Sequence, residues 1–144
     1  MYKILFILLL LVLHVNANES FKETRYIYAI DKKIEFQGSI TFLEKSIDIV
    51  YTKPKEEKVT YLKEDENLQR KTFYMILQAI HSSNEALLNE YFEIKKIQTK
   101  EVLTPVGILR DYIREVEYKK EENILEFIKI QMQNDDWILI ETLR

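Results

Sequence analysis

The chain has 144 residues, a formal net charge of −3, two glycines, two prolines and no cysteine. Its length admits one domain with a single core, its acidic balance argues against nucleic acid, which asks for a concentrated basic patch, and without cysteine the core must carry stability unaided by disulfides. The scarcity of Gly and Pro also excludes a low-complexity linker, a collagen-like repeat and a Gly-rich phosphate loop, and no self-similarity is found at solenoid periods.

The first predicted element is a targeting segment. MYKILFILLLLVLHVNANES has one positive charge at Lys3, an unbroken apolar run from Ile4 to Leu13, and small or polar residues around Val15-Asn16-Ala17. A bilayer core needs about 20 apolar residues, so this shorter run reads as the h-region of a secretory signal peptide. Cleavage is expected after Ala17, making residues 1–17 the signal and 18–144 one mature domain. No cysteine follows the apolar run, which excludes the usual diacylated anchor of a bacterial lipoprotein.

The mature chain opens with a strand, FKETRYIYA from Phe21, rich in aromatic and β-branched residues. IEFQGSITF, residues 34–42, alternates strictly, with Ile34, Phe36, Gly38, Ile40 and Phe42 on one side and Glu35, Gln37, Ser39 and Thr41 on the other. That is the pattern of a half-buried strand. SIDIVYTK follows, stopping at Pro54, which cannot donate to a ladder, and Lys58 to Leu62 gives a fourth strand before the charged turn Lys63-Glu64-Asp65-Glu66-Asn67. These four make an antiparallel meander.

The period then changes to that of a helix. Phe73, Ile76, Leu77 and Ile80 fall at i, i+3, i+4 and i+7, with Thr72 placed to cap and Ser82-Ser83-Asn84 to end the helix, and Leu87 and Leu88 mark a second short helix. Strand character returns in YFEIKKI, EVLTP and DYIREVEYKK. The last hairpin is LEFIKIQM, a turn at Gln133-Asn134-Asp135-Asp136, and WILIETLR. Trp137, Ile138, Leu139 and Ile140 are apolar in succession, so both faces of that strand are expected to be covered, with the mid-chain helices on the far one. The resulting fold class is α+β: a strongly curved antiparallel sheet, an incomplete or half β-barrel, with one or two lid helices on its concave face.

Signals for catalysis are weak. His81 is the only histidine outside the signal segment, and no HExxH or Cys/His spacing suggests a metal site. Ser82 and Ser83 beside it lack a third orienting group and an oxyanion site. Glu64, Asp65 and Glu66 read as a solvated turn, and Asn134-Asp135-Asp136 matches the start of a calcium loop in composition only. An enzyme is therefore not expected, nor any cofactor or metal. Nine tyrosines and seven phenylalanines fit strands, and together with helices over an exported sheet they suit a pocket for an apolar ligand.

The order F-K-E-T-R, I-E-F-Q-G-S-I-T-F, I-V-Y-T-K-P, an amphipathic helix, Y-F-E-I, V-L-T-P and a closing hairpin resembles the periplasmic outer-membrane lipoprotein carrier family, the LolA-like proteins, in a short variant. The resemblance spans roughly residues 21–143 and is strongest for variants that open with a Phe-x-Glu-x-Arg strand. It implies a periplasmic, monomeric carrier that holds the acyl chains of a lipoprotein or other lipid in a half-barrel under a helical lid. An inner-membrane donor and an outer-membrane acceptor would be its partners. On that template Phe36, Ile40, Phe42, Ile47 and Ile49 line the sheet side of an apolar cavity, and Phe73, Ile76, Leu77 and Ile80 form the lid. The family's lid-holding arginine, from an Arg-Pro after the glycine-bearing strand, is absent, and the turn Leu43-Glu44-Lys45-Ser46 offers only Lys45, a point charge without the guanidinium fork. The alternative is an exported protein-interaction module with a packed core and no lipid ligand, capturing a partner by strand addition at a sheet edge.

Overall fold

A computed structural model of the protein describes residues 18–143; the expected signal peptide, residues 1–17, lies outside them. Nine strands form one antiparallel sheet: β1 (Glu19–Ile27), β2 (Lys32–Phe42), β3 (Ser46–Lys53), β4 (Glu57–Leu62), β5 (Phe92–Ile97), β6 (Lys100–Pro105), β7 (Ile113–Glu121), β8 (Ile124–Met132) and β9 (Trp137–Thr142). Their spatial order is β4-β3-β2-β1-β9-β8-β7-β6-β5. Two meanders thus meet at a β1–β9 seam, where Phe21 faces Thr142 and Arg25 faces Ile138. The sheet is curved and open, with β4 and β5 at its edges.

Two helices bridge those edges across the concave face. α1 (Leu68–His81) leaves β4, and α2 (Glu85–Tyr91) leads into β5. The N-cap of α1 is Asn67, whose side chain accepts from the Arg70 N–H. The cap expected at Thr72 is therefore five residues too late: Leu68 to Lys71 lack apolar periodicity, and the structural signal there is the Asn cap alone. Asn84 caps α2 in the same way. A short 3-10 segment, Gly107–Asp111, has no counterpart in the periodicity, since it buries only Leu109.

Period-two alternation explains the core. Phe21, Ile40, Ile47, Ile49, Val116, Ile128, Ile130 and Ile140 all point to the concave side, where they pack with Tyr74, Ile76, Leu77, Ala79 and Ile80 of α1. Gly38 lies between Phe21 and Tyr51 in the register, at an irregularity of the β2–β3 ladder. A Cβ there would collide with the Val50 carbonyl oxygen. With no side chain at that point, the Phe21 and Tyr51 rings meet edge-on across it, centroids 5.9 Å apart.

Covering of β9 differs from expectation. Ile140 is buried on the concave side, but among the described residues no helix lies over the outer face, where Trp137 and Leu139 are half-buried. Trp137 is covered by its strand neighbours instead: it stacks on Tyr26 at 5.6 Å, and the ammonium groups of Lys33 and Lys129 lie 5.5 and 5.2 Å from its ring. Long lysine stems over an aromatic ring shield apolar surface while keeping the charge wet.

Candidate functional site

The helix sits against the sheet unevenly. At its C-terminal half Leu77, Ala79 and Ile80 are fully buried, whereas Leu68 at the N-terminal end is exposed and Phe73 is half-buried. The space left open under that first half is a cleft of about 690 Å³. Its walls are Tyr61 of β4, Phe73 and Ile76 of α1, Leu109 of the 3-10 segment, and Ile130, Met132 and Ile138 of the last hairpin.

Two charged residues of the wall come from β1. Glu23 and Arg25 alternate onto the concave side with Phe21, opposite Ile140 and Ile138. Glu23 is 2% exposed, the one charged residue among the described ones buried to that degree. Arg25 Nε donates to Glu23 Oε1, Tyr51 Oη donates to Glu23 Oε2 at 2.7 Å, and Arg25 Nη2 donates to Tyr51 Oη at 3.0 Å. The carboxylate is thus held on both oxygens, as a buried charge must be. The Arg25 side chain stays 39% exposed, lines the cleft, and places its guanidinium 4.4 Å from the Phe36 ring centroid.

Electrostatics keep the Tyr51 phenol and the Arg25 guanidinium in their protonated forms. Burial, reinforced by the Glu23 charge and hydrogen bond, pushes the Tyr51 phenol far above its ordinary range, so it remains a neutral donor. Burial also raises Tyr61, with Glu23 adding to it. Burial alone would lower Arg25; the hydrogen bond and charge of Glu23, with Tyr51, outweigh that and raise it.

Over the cleft, α1 is tied down by Arg70. Its Nη2 donates to the Thr60 carbonyl at 2.5 Å, its Nε to Asp65 Oδ2 at 3.0 Å, and its guanidinium lies 4.9 Å from the Tyr61 ring centroid. Asp65 also accepts from the Asn67 N–H at 2.9 Å, and this bond, then Arg70, holds its carboxyl below the usual range. The far end of α1 is fixed by Lys120, which donates to the His81 carbonyl at 3.1 Å and to Ser83 Oγ at 2.7 Å. His81 stacks flat on Phe42 with centroids 3.7 Å apart. Lys45 is exposed, and among the described residues it forms no ion pair; the guanidinium joining helix to sheet is that of Arg70.

Of the nine residues assigned to the cavity and lid, Phe73 and Ile76 line the cleft. Ile40, Ile47, Ile49, Leu77 and Ile80 are buried in the packed core, with Phe42 against it under His81. Phe36 lies beneath Arg25. Sequence reasoning passed over Glu23, Arg25, Tyr51, Arg70 and the walls from Leu109 to Ile138. The signal for the first two was present, since two charges on the apolar side of FKETR break its alternation. The hydroxyls at Ser82 and Ser83 are engaged at the helix end, Ser82 Oγ donating to the Gln78 carbonyl at 2.7 Å. The turn carboxylates Asp135 and Asp136 accept from Arg114 Nη2 at 2.6 Å and from the Tyr28 N–H at 2.8 Å. Among the described residues no group of three or more His, Asp or Glu is placed to hold a metal ion, and no helix is long and apolar enough to cross a membrane.

Fold and cleft together define an α+β protein with a curved open sheet, two covering helices and a largely apolar cleft in whose wall a buried Glu23 pairs with a part-exposed Arg25. A search of protein-family models finds no match to the chain, and a search of curated proteins finds none either.

Proposed function

We propose that the protein is an acyl-chain carrier of the LolA-like kind: exported to the periplasm, it takes the acyl chains of a lipoprotein or another lipid into the cleft beneath α1 and moves them between inner and outer membrane. The observation that supports this reading best is the cleft, about 690 Å³, whose lining includes the half-buried side chains of Tyr61, Phe73, Met132 and Ile138 beside polar and charged residues. That volume falls within the roughly 300–1,000 Å³ of ordinary ligand sites. Burying an acyl chain gains about 0.8 kcal/mol per methylene, so such walls hold lipid without directed bonds. Loading and release require no cofactor and no hydrolysis in the carrier, only a donor at the inner membrane and an acceptor at the outer membrane with a better apolar site.

The rival reading, strand addition at an open edge, has less support. The edge strands present exposed Glu57 and Lys58 on β4 and Lys95 and Lys96 on β5, charges of the kind that discourage edge pairing.

Native mass spectrometry of gently purified protein, with lipid extraction of the same sample, tests the carrier reading. Acylated species at a fixed ratio are expected. Phe73→Glu, at a half-buried cleft position, is expected to cut uptake of a fluorescent acyl probe; undiminished uptake by the folded variant would reject the cleft as the site.

A further inference from the structure

The cleft is apolar, yet a guanidinium is fixed in its wall. Arg25 Nε and Nη2 are engaged by Glu23 and Tyr51, and the flat group rests on Phe36, so its position and orientation are set before any ligand arrives. A guanidinium has five N–H donors in a rigid fork. The bonds to Glu23 and Tyr51 use two, and among the described residues nothing accepts from Nη1. The side chain remains accessible at the cleft wall, 39% exposed.

Resting on the carrier reading, we propose that Arg25 is the anchor for the carbonyl oxygen of an ester- or amide-linked acyl group, and that the cleft prefers such neutral acyl groups to free fatty acid anions. Charge decides between the two. The Arg25 cation is already matched by Glu23 at contact distance, and Arg70, the other cation on the wall, is matched by Asp65 at 3.0 Å. Asp111 and Asp136 also line the cleft. A carboxylate entering here meets no uncompensated positive charge and is repelled by Glu23. A neutral carbonyl oxygen accepts a charge-assisted hydrogen bond without adding a charge. Its alkyl tail then runs along Tyr61, Phe73, Met132 and Ile138, while the Glu23–Arg25–Tyr51 cluster keeps the donor from reorienting.

The test compares three pyrene-labelled probes of equal chain length, a methyl ester, the free acid and an alkane without oxygen, by fluorescence titration against the purified protein at pH 7. The ester is expected to bind about tenfold or more tightly than the alkane, the gain of a hydrogen bond to a charged donor, and more tightly than the acid. Arg25→Met is expected to remove the ester's advantage. Because that variant leaves Glu23 buried beside a neutral residue, the paired variant Glu23→Gln/Arg25→Met is measured alongside, and it is expected to lose the same advantage. Equal binding of ester and alkane by the unaltered protein overturns the Arg25 assignment and leaves the carrier reading standing. An ester preference that survives in the paired variant overturns it too. If none of the three probes binds, the carrier reading falls and takes this inference with it.

Discussion

Arg25 can stand half out of water in an apolar cleft because Glu23, two residues earlier on the same strand face, neutralises it, and Glu23 can be buried because Tyr51 and Arg25 occupy both its oxygens. Removing one member leaves the others exposed to the full desolvation cost. Glu23→Gln is expected to lower unfolding stability by about 1–3 kcal/mol, read as a lower urea midpoint with unchanged slope. Gly38→Ala belongs to the same neighbourhood: its Cβ would strike the Val50 carbonyl, with an expected cost of about 1–3 kcal/mol from overpacking. His81 provides a pH handle. Burial pushes its imidazole below the ordinary 6.5, with Glu19 opposing and Lys120 assisting. The unfolded chain therefore binds the proton more readily, and stability that is full above pH 6.5 falls as pH drops below that value toward the folded pKa. In His81→Phe, which retains a ring on Phe42, the part of the acid-side loss that begins near pH 6.5 is expected to vanish in urea titrations. Of these residues, Glu23 and Arg25 were legible as charges on the wrong side of an alternating strand. Tyr51 was not, because its meeting with Glu23 depends on β2 inserting Gly38 between Phe21 and Tyr51.

At the scale of elements, α1 joins two functions in one helix: its C-terminal half packs as core and its N-terminal half roofs the cleft. The division follows from where the tethers are. Lys120 and the Phe42–His81 stack hold one end, and Arg70 with the Asn67 cap holds the other. Asn67→Ala removes one capped N–H and is expected to cost about 1 kcal/mol. In Arg70→Met the amides of the first two turns of α1 are expected to exchange faster with deuterium, while protection in β8 holds; equal loosening of both would mean that the helix opens only when the sheet unfolds. The helix itself was readable from Phe73, Ile76, Leu77 and Ile80. Its start was not, because Leu68-Gln69-Arg70-Lys71 has no apolar stripe and faces the open end of the cleft, where packing imposes no period.

For the whole molecule, the decisive contact is the seam between β1 and β9, which pairs residues near opposite ends of the described chain. It turns two local meanders into one nine-stranded sheet, and the helices then have a single concave surface to cover. Such a non-local pairing makes folding slow, in the millisecond-to-second range typical of sheet topologies. Ile140→Asp, set opposite Glu23 on the buried side of the seam, is expected to abolish cooperative folding, which circular dichroism melting would register, since it adds an unpaired charge beside a buried one.

The sequence by itself determined most of the strand and helix inventory, because hydrophobic period is a local property: alternation in residues 34–42 and strand character in 111–120, the helical spacing from Phe73 to Ile80, and turn residues at Asn134-Asp135-Asp136 each specify their own stretch to within a few residues. It also indicated an α+β fold with the helices over a concave sheet. Only the tertiary structure decided which apolar side chains are core and which are cleft wall. Ile47, Ile49, Ile76, Leu77 and Ile80 pack together while Phe73 is left half-buried at the cleft, and nothing in their spacing separates it from the others. That choice depends on how far the helix stands from the sheet at each end, and the distance is set by the Arg70 and Lys120 tethers, by the 3-10 segment and by the last hairpin, all brought together across long separations in the chain.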